Sequence, residues 1–338
     1  MKSIERNSMK NTLRPLYIKP KKIISDVQSG LASLTKRRFN FLTEKNFNEI
    51  ICISVSQKLP VMIGKIGGNE RTILDAVFRT RGGGLKNLKN IIYEDASERG
   101  RYRGGVFPNE FWQYCLVGGE LNKALKEIDL LVTWRGFPER RILKKNNIVP
   151  PALFEGMRYL DPTVSLEEGW KSWTHGLAGK RVLLVSPFKD SIEHFLSSDS
   201  PVLEYYGFDK MQNVAFVKPP QNWMPLIEGS RYNSWSEELA DMTETIRKMD
   251  FDVCLVGAGA YSLPICRFVT RQLSKTSIHL GGGMGPLFGV IGGRWSESQP
   301  ENYKLYKKYY REALKVPLDH EKPPQMLYEK IGVHDRYW

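Results

Sequence analysis

The sharpest chemical signal is an apolar run that breaks into glycines: Asp252-Val-Cys-Leu-Val-Gly-Ala-Gly-Ala-Tyr-Ser-Leu-Pro264. Glycines at 257 and 259 let backbone N–H groups approach an anion, and a helix opening near Pro264 adds its dipole to the attraction. Tyr261 lies within the same turn. Position 262 is Ser, so the third glycine of a dinucleotide fingerprint is missing. A second turn follows at His279-Leu-Gly281-Gly282-Gly283-Met-Gly285, and seven glycines fall within residues 281–293. Ordered glycine loses much backbone entropy, so this density predicts close approach to a bulky ligand, with a mobile loop as the alternative. His279 at its head reads equally as a packed strand-end histidine and as a base.

A third segment, Ile63-Gly-Lys65-Ile-Gly67-Gly68-Asn69-Glu70, places one carboxylate at a helix start. A helix N-terminus favours a negative charge for its own sake, but the same group is positioned to contact a sugar, hold a metal or take a proton. A fourth, Ser186-Pro187-Phe188-Lys189, sets a hydroxyl and an ammonium at a strand end, where either suits a diphosphate. Arg99, Arg101 and Arg103 with Gly100, Gly104 and Gly105 form a basic glycine loop, which either closes on an anionic substrate or keeps the surface solvated.

The elements that must position these groups alternate. Strands are expected at Val61–Ile66, Leu130–Trp134, Val182–Val185, Val214–Val217, Phe251–Val256 and Ser277–Leu280. Helical spacing marks Glu70–Arg79, the stretch around Phe111–Cys115, Trp235–Met249 and Leu263–Leu273, whereas Asn46–Lys58 carries mixed signals and 146–162 reads as irregular. The pattern predicts an α/β fold, a Rossmann-like, mostly parallel sheet with helices on both faces. Ligands bind such sheets at the carboxyl ends of the strands. The expected organisation is a basic extension over residues 1–40, a catalytic domain over 41–295 and a wrapping segment over 296–338.

With 338 residues, 41% of them hydrophobic, the chain can build a full core. Its longest apolar runs are strand-sized, no secretory leader is visible, and the expectation is a cytoplasmic protein. Cys52, Cys115, Cys254 and Cys266 form no CxxC pair and read as reduced and structural; the five histidines lack zinc spacing. The net charge of +13 is concentrated early, with eleven basic and three acidic residues in positions 1–45. Such a segment is either a solvated extension or a peripheral contact with an inner-membrane surface. A specific nucleic-acid partner is not expected, because no recognition motif accompanies the charge.

Phe251–Pro264 followed by Ser277–Trp295 resembles the C-terminal signature of bacterial polysaccharide-locus glycosyltransferases with a GT-D-type fold. Gly179–Glu193, Gly64–Glu70 and, more weakly, Gly104–Pro108 match in order, so the resemblance spans roughly residues 60–295. It implies transfer of a sugar from a nucleotide-diphosphate-sugar donor to a glycan or lipid-linked glycan acceptor. It also implies an Asp-x-Glu motif holding a divalent Mn²⁺ or Mg²⁺; Glu70 matches the Glu, but Gly68 stands in place of the Asp. On this reading Glu70 and His279 are the catalytic candidates, Glu94, Asp95, Asp129 and Asp190 sharing only the residue type. The donor would meet Lys65, Gly67, Gly68, Asn69, Ser186, Pro187, Lys189, Gly257, Gly259, Tyr261, Gly281, Gly282 and Gly283. A nicotinamide oxidoreductase and a non-catalytic glycan- or nucleotide-binding module are the competing readings.

Overall fold

The computed structural model describes residues 42–79, 104–108, 110–133, 137–156, 160, 169–219, 231–292, 307–308, 310 and 315–322. The basic extension, Glu94 and Asp95, the arginines at 99, 101 and 103, the Gly293–Trp295 end of the signature and most of the C-terminal segment lie outside these residues.

Seven short strands carry the fold: β1 (Met62–Lys65), β2 (Leu130–Thr133), β3 (Ala152–Glu155), β4 (Arg181–Val185), β5 (Asn213–Val217), β6 (Val253–Val256) and β7 (Thr276–His279). They form one sheet in the order β3-β2-β1-β7-β6-β4-β5, and every pairing is parallel. Their side chains alternate between two apolar layers, as a pleat covered on both faces requires. Leu183 and Val185 join one layer, Val182 and Leu184 the other.

The first layer lies against α2 (Gly68–Arg79), α3 (Phe111–Lys126), α4 (Phe137–Lys145), α7 (Trp235–Arg247) and α8 (Ser262–Leu273). The second lies against α1 (Glu44–Ser56), α5 (Lys189–Leu196), α6 (Pro201–Tyr206), α9 (Met284–Leu287) and a 3₁₀ turn at Trp173–Leu177. Local chemistry starts several of these helices. Thr43 caps α1 by accepting from Asn46 N at 3.3 Å, and Ser234 caps α7 by accepting from Glu237 N at 3.2 Å.

The structure departs from the sequence reading at four places. Asn46–Lys58 resolves as helix: α1 buries Phe47, Ile51 and Val55 at i, i+4 and i+8. The Phe111–Cys115 segment continues unbroken to Lys126, because a Cβ on Gly118 would stand 2.7 Å from Val77 Cγ2; that glycine lets α3 approach α2. The 146–162 stretch contains β3, a four-residue edge strand obscured by Pro150 and Pro151 before it. Helix α4 went unread because, among its nine residues, five are charged and Ile142 and Leu143 supply its contribution to the core. Among the described residues no helix is long and apolar enough to cross a membrane.

Candidate active site

Strands β4 and β6 are neighbours, yet their continuations leave by opposite faces. From β4 the chain passes through α5 and α6 to the edge strand β5; from β6 it passes through α8 on the other face to β7. Such a reversal opens a crevice at the carboxyl edge. The loops bordering it are Ser186-Pro187 and Gly257-Ala258-Gly259. One and two strands further along that edge come β7, ending at His279, and β1, ending at Lys65. The four strand ends span three inter-strand spacings, about 14 Å.

Within this edge Glu70 and His279 come together. Glu70, in the first turn of α2, is 5% exposed, and His279 is 1% exposed. Glu70 Oε1 lies 3.8 Å from His279 Nε2. The other ring nitrogen, Nδ1, is 3.1 Å from the carbonyl oxygen of Lys65. A carbonyl can only accept, so Nδ1 carries the hydrogen and Nε2 presents its lone pair towards Glu70. Burial pushes the Glu70 carboxyl up to about 7, opposed in smaller part by hydrogen bonding to its own backbone N–H and by Lys65. Burial, with Lys65 adding to it, pushes His279 down to about 3, so the imidazole is neutral. At neutral pH the pair therefore joins a half-ionised carboxyl to an uncharged acceptor.

The glycines divide into two kinds. A Cβ on Gly257 would meet Met284 Cβ at 2.7 Å and the Gly281 carbonyl at 2.9 Å; one on Gly259 would meet the Gly104 carbonyl at 2.9 Å. These glycines are explained by chain packed against chain. Gly67 makes room for the Glu70 carboxylate, while Gly281 has φ +54° and would crowd Lys65 Cε and His279 Nε2 at 3.1 and 3.2 Å. By contrast, Cβ atoms on Gly68 or Gly283 would meet nothing within 4 Å. Open space thus lies beside the first turn of α2 and beside the Gly281–Gly283 turn, with Gly282 between partly exposed neighbours. Asn69 is half-buried in the same turn as Glu70.

Other predicted site residues are engaged elsewhere. Tyr261 is 1% exposed; its hydroxyl lies 3.0 Å from Glu238 Oε2 and 3.1 Å from the Gly105 carbonyl, and its ring stacks on Trp235 at 5.1 Å. Glu238 was missed from sequence, since on α7 it occupies one of the positions a solvated face would have; burial pushes its carboxyl up to about 7. Ser186 is fully buried and accepts from Phe188 N at 3.2 Å. Pro187 follows it at the end of β4. Lys189 Nζ lies 3.8 Å from Glu193. The N-terminus of α5 is occupied by the chain's own Glu321, whose carboxylate accepts from Asp190 N at 2.8 Å, Ser191 N at 3.2 Å and the Ser191 hydroxyl. Asp190 pairs with His320 at 2.7 Å. Asp129 lies at the opposite, amino edge, accepting from Met62 N at 2.8 Å and from Arg271.

The donor set around Glu70 suits a hard divalent cation poorly. Mg²⁺ and Mn²⁺ favour several oxygens, whereas Glu70 has an imidazole beside it and Gly68 where a second carboxylate would stand. Among the described residues, three ligand-type side chains converge at Asp190, His320 and Glu321, away from this pair.

No protein-family model matches the chain, and no curated protein does. The chain is similar to a solved structure described as a selenomethionine-substituted domain of unknown function, DUF1792. The two share 12% identity at a TM-score of 0.43, over 87% of this chain and 96% of the other.

Proposed function

We propose that this protein is a glycosyltransferase that moves a sugar from a nucleotide-diphosphate-sugar donor onto a hydroxyl of a glycan acceptor. The observation that carries the reading is the buried Glu70–His279 pair at the carboxyl ends of β1 and β7, with Glu70 poised near 7. An acceptor hydroxyl has one hydrogen to donate, and ionised Glu70 receives it at Oε1 and takes the proton as the new glycosidic bond forms. His279, with its hydrogen held on Nδ1 by the Lys65 carbonyl, stays uncharged beside the carboxylate and leaves Glu70 as the group that takes the proton. The departing diphosphate is stabilised by Lys65 and by the backbone N–H groups of Gly281 and Gly282, whereas those of Gly257, Ala258 and Gly283 are given to Val185 O, Ser262 Oγ and Leu280 O. The resemblance of these same turns to the polysaccharide-locus transferases supports the assignment. Each of these steps is carried by side chains and backbone of the chain, without a metal ion.

The test is a thermal-shift panel of UDP, GDP, CDP, dTDP, CMP, NAD and NADP, with and without Mn²⁺. Stabilisation by one nucleoside diphosphate is expected; about 2.7 kcal/mol is gained at a hundredfold excess over Kd. Release of nucleotide from the corresponding nucleotide sugar should then follow, and should be lost in Glu70→Gln. A shift with NAD or NADP alone would favour the oxidoreductase instead, and binding without turnover would favour a non-catalytic module.

A further inference from the structure

One strand along from Glu70, the carboxyl end of β2 carries two buried polar side chains that the fold leaves unsatisfied. Thr133, the last residue of β2, is 1% exposed, and its hydroxyl has no hydrogen-bond partner. Glu139, in the first turn of α4, is also 1% exposed, and its carboxylate oxygens have no partner beyond the approach of its own backbone N–H. The contrast with Glu321, Asp252 and Glu238 is sharp. Glu321 accepts three hydrogen bonds, Asp252 is held by Arg181 and Lys58, and Glu238 receives the Tyr261 hydroxyl. Buried polar groups in native proteins are nearly always satisfied, and an exception calls for a reason. Single buried atoms of Gln113, Asn122, Asn146 and Trp235 also lack a partner, but Thr133 and Glu139 share one strand end, on the edge where a parallel sheet binds its ligands, and together they point to a partner from outside the chain.

We propose that Thr133 and Glu139 form a saccharide subsite, in which they receive hydroxyl groups of the sugar ring presented to Glu70. The identity of the ligand rests on the transferase reading; the presence of a site rests on the two unsatisfied groups. Its chemistry follows from what is lacking. An ionised carboxylate only accepts, and a threonine hydroxyl accepts and donates, so the missing partner is a hydrogen-bond donor, which on the transferase reading is a set of sugar O–H groups. A polyol supplies several at ring spacing. A divalent cation is the poorer fit: Glu155, the register partner of Thr133, is already ion-paired with Arg140, and Arg71 places a positive charge in the field of Glu139. Both groups are closed over in the structure, so occupancy requires the first turn of α4 to move.

The experiment uses the full chain and saturation-transfer NMR with methyl glycosides of glucose, galactose, mannose and N-acetylglucosamine, without nucleotide. At least one should receive saturation from the protein, and the effect should fall at least fivefold in Thr133→Val and in Glu139→Gln. Neither variant should melt lower than the parent, because each removes or neutralises an unsatisfied buried group. No saturation from any glycoside, or an effect unchanged in both variants, would overturn the proposal. So would a melting rise with Mg²⁺ or Mn²⁺ alone that both variants abolish, since that identifies a cation site. Glycoside binding is read without nucleotide, so its failure is distinct from failure of the nucleoside diphosphate panel.

Discussion

Glu70 and His279 titrate in opposite senses, and this makes their roles separable. Glu70 has its carboxyl raised from 4.5 to about 7. Between those values the folded chain holds a proton that the unfolded chain has released, so stability falls as pH rises through the window. The penalty is about 3 kcal/mol by pH 7 and above. His279 is lowered from 6.5 to about 3, so the unfolded chain is the one that gains a proton as pH falls below 6.5, and stability is lost on acidification. Glu70→Gln should therefore be more stable than the parent at pH 8 and lose the decline between pH 5 and 7, as followed by urea midpoints. The same variant should lower turnover by roughly 10²–10⁴-fold, the usual worth of a general base, and remove a rising limb of kcat/KM near pH 7. A retained limb would transfer that titration to Glu238. Gly68→Asp offers a complementary test. No atom lies within 4 Å of a Cβ there, so the carboxylate should be accommodated, and turnover of the variant should become responsive to Mn²⁺.

At the scale of elements, the glycines that crowd the β6 and β7 turns predict unequal effects. Gly257→Ala drives a methyl against Met284 and the Gly281 backbone, so a loss of about 1–3 kcal/mol is expected in chemical denaturation. Gly68→Ala, in the first turn of α2 with open space around it, should match the parent or gain a few tenths of a kcal/mol. This difference marks what the sequence could convey. Strong periodicity placed six of the seven strands and the helices α2, α7 and α8, because burial on both faces of a parallel sheet leaves continuous apolar runs. The Gly67–Glu70 and His279–Gly283 turns were likewise visible as breaks in those runs. Whether a glycine yields to a ligand or to another loop depends on the approach of Met284 and Gly104, which are distant in sequence. The unsatisfied state of Glu139 was equally hidden, since its charged helix reads as solvated surface and only the tertiary contacts of α4 bury it.

For the whole molecule, the two edges of the sheet are built differently. At the amino edge, Asp252 accepts from Arg181 N at 3.0 Å and pairs with Arg181 and Lys58 at 2.8 and 3.0 Å, while Asp129 binds Met62 N and Arg271. The Arg181 contacts hold the Asp252 carboxyl well below the usual carboxylate range. A depressed carboxylate stabilises above its unfolded value near 3.8 and loses that contribution as pH falls below it. Asp252→Asn should accordingly destabilise at pH 7 by roughly 1–3 kcal/mol and less at pH 3. At the carboxyl edge the ends of β1 and β2 instead carry the raised Glu70 and the unsatisfied Glu139, as expected where stability is traded for chemistry. The sheet order has one more consequence, for a chain emerging from the ribosome. Strand β1 forms early in the sequence but pairs on one side with β7, whose register joins Met62 to Ser277. Until β7 has been synthesised, β1–β3 and β4–β6 are two half-sheets with open edges. The last strand is the keystone that joins them, and the Glu70–His279 pair is created in the same event. Nascent chains arrested before Thr276 should therefore be degraded by protease, and those extended well past the Gly281–Gly283 turn should resist it.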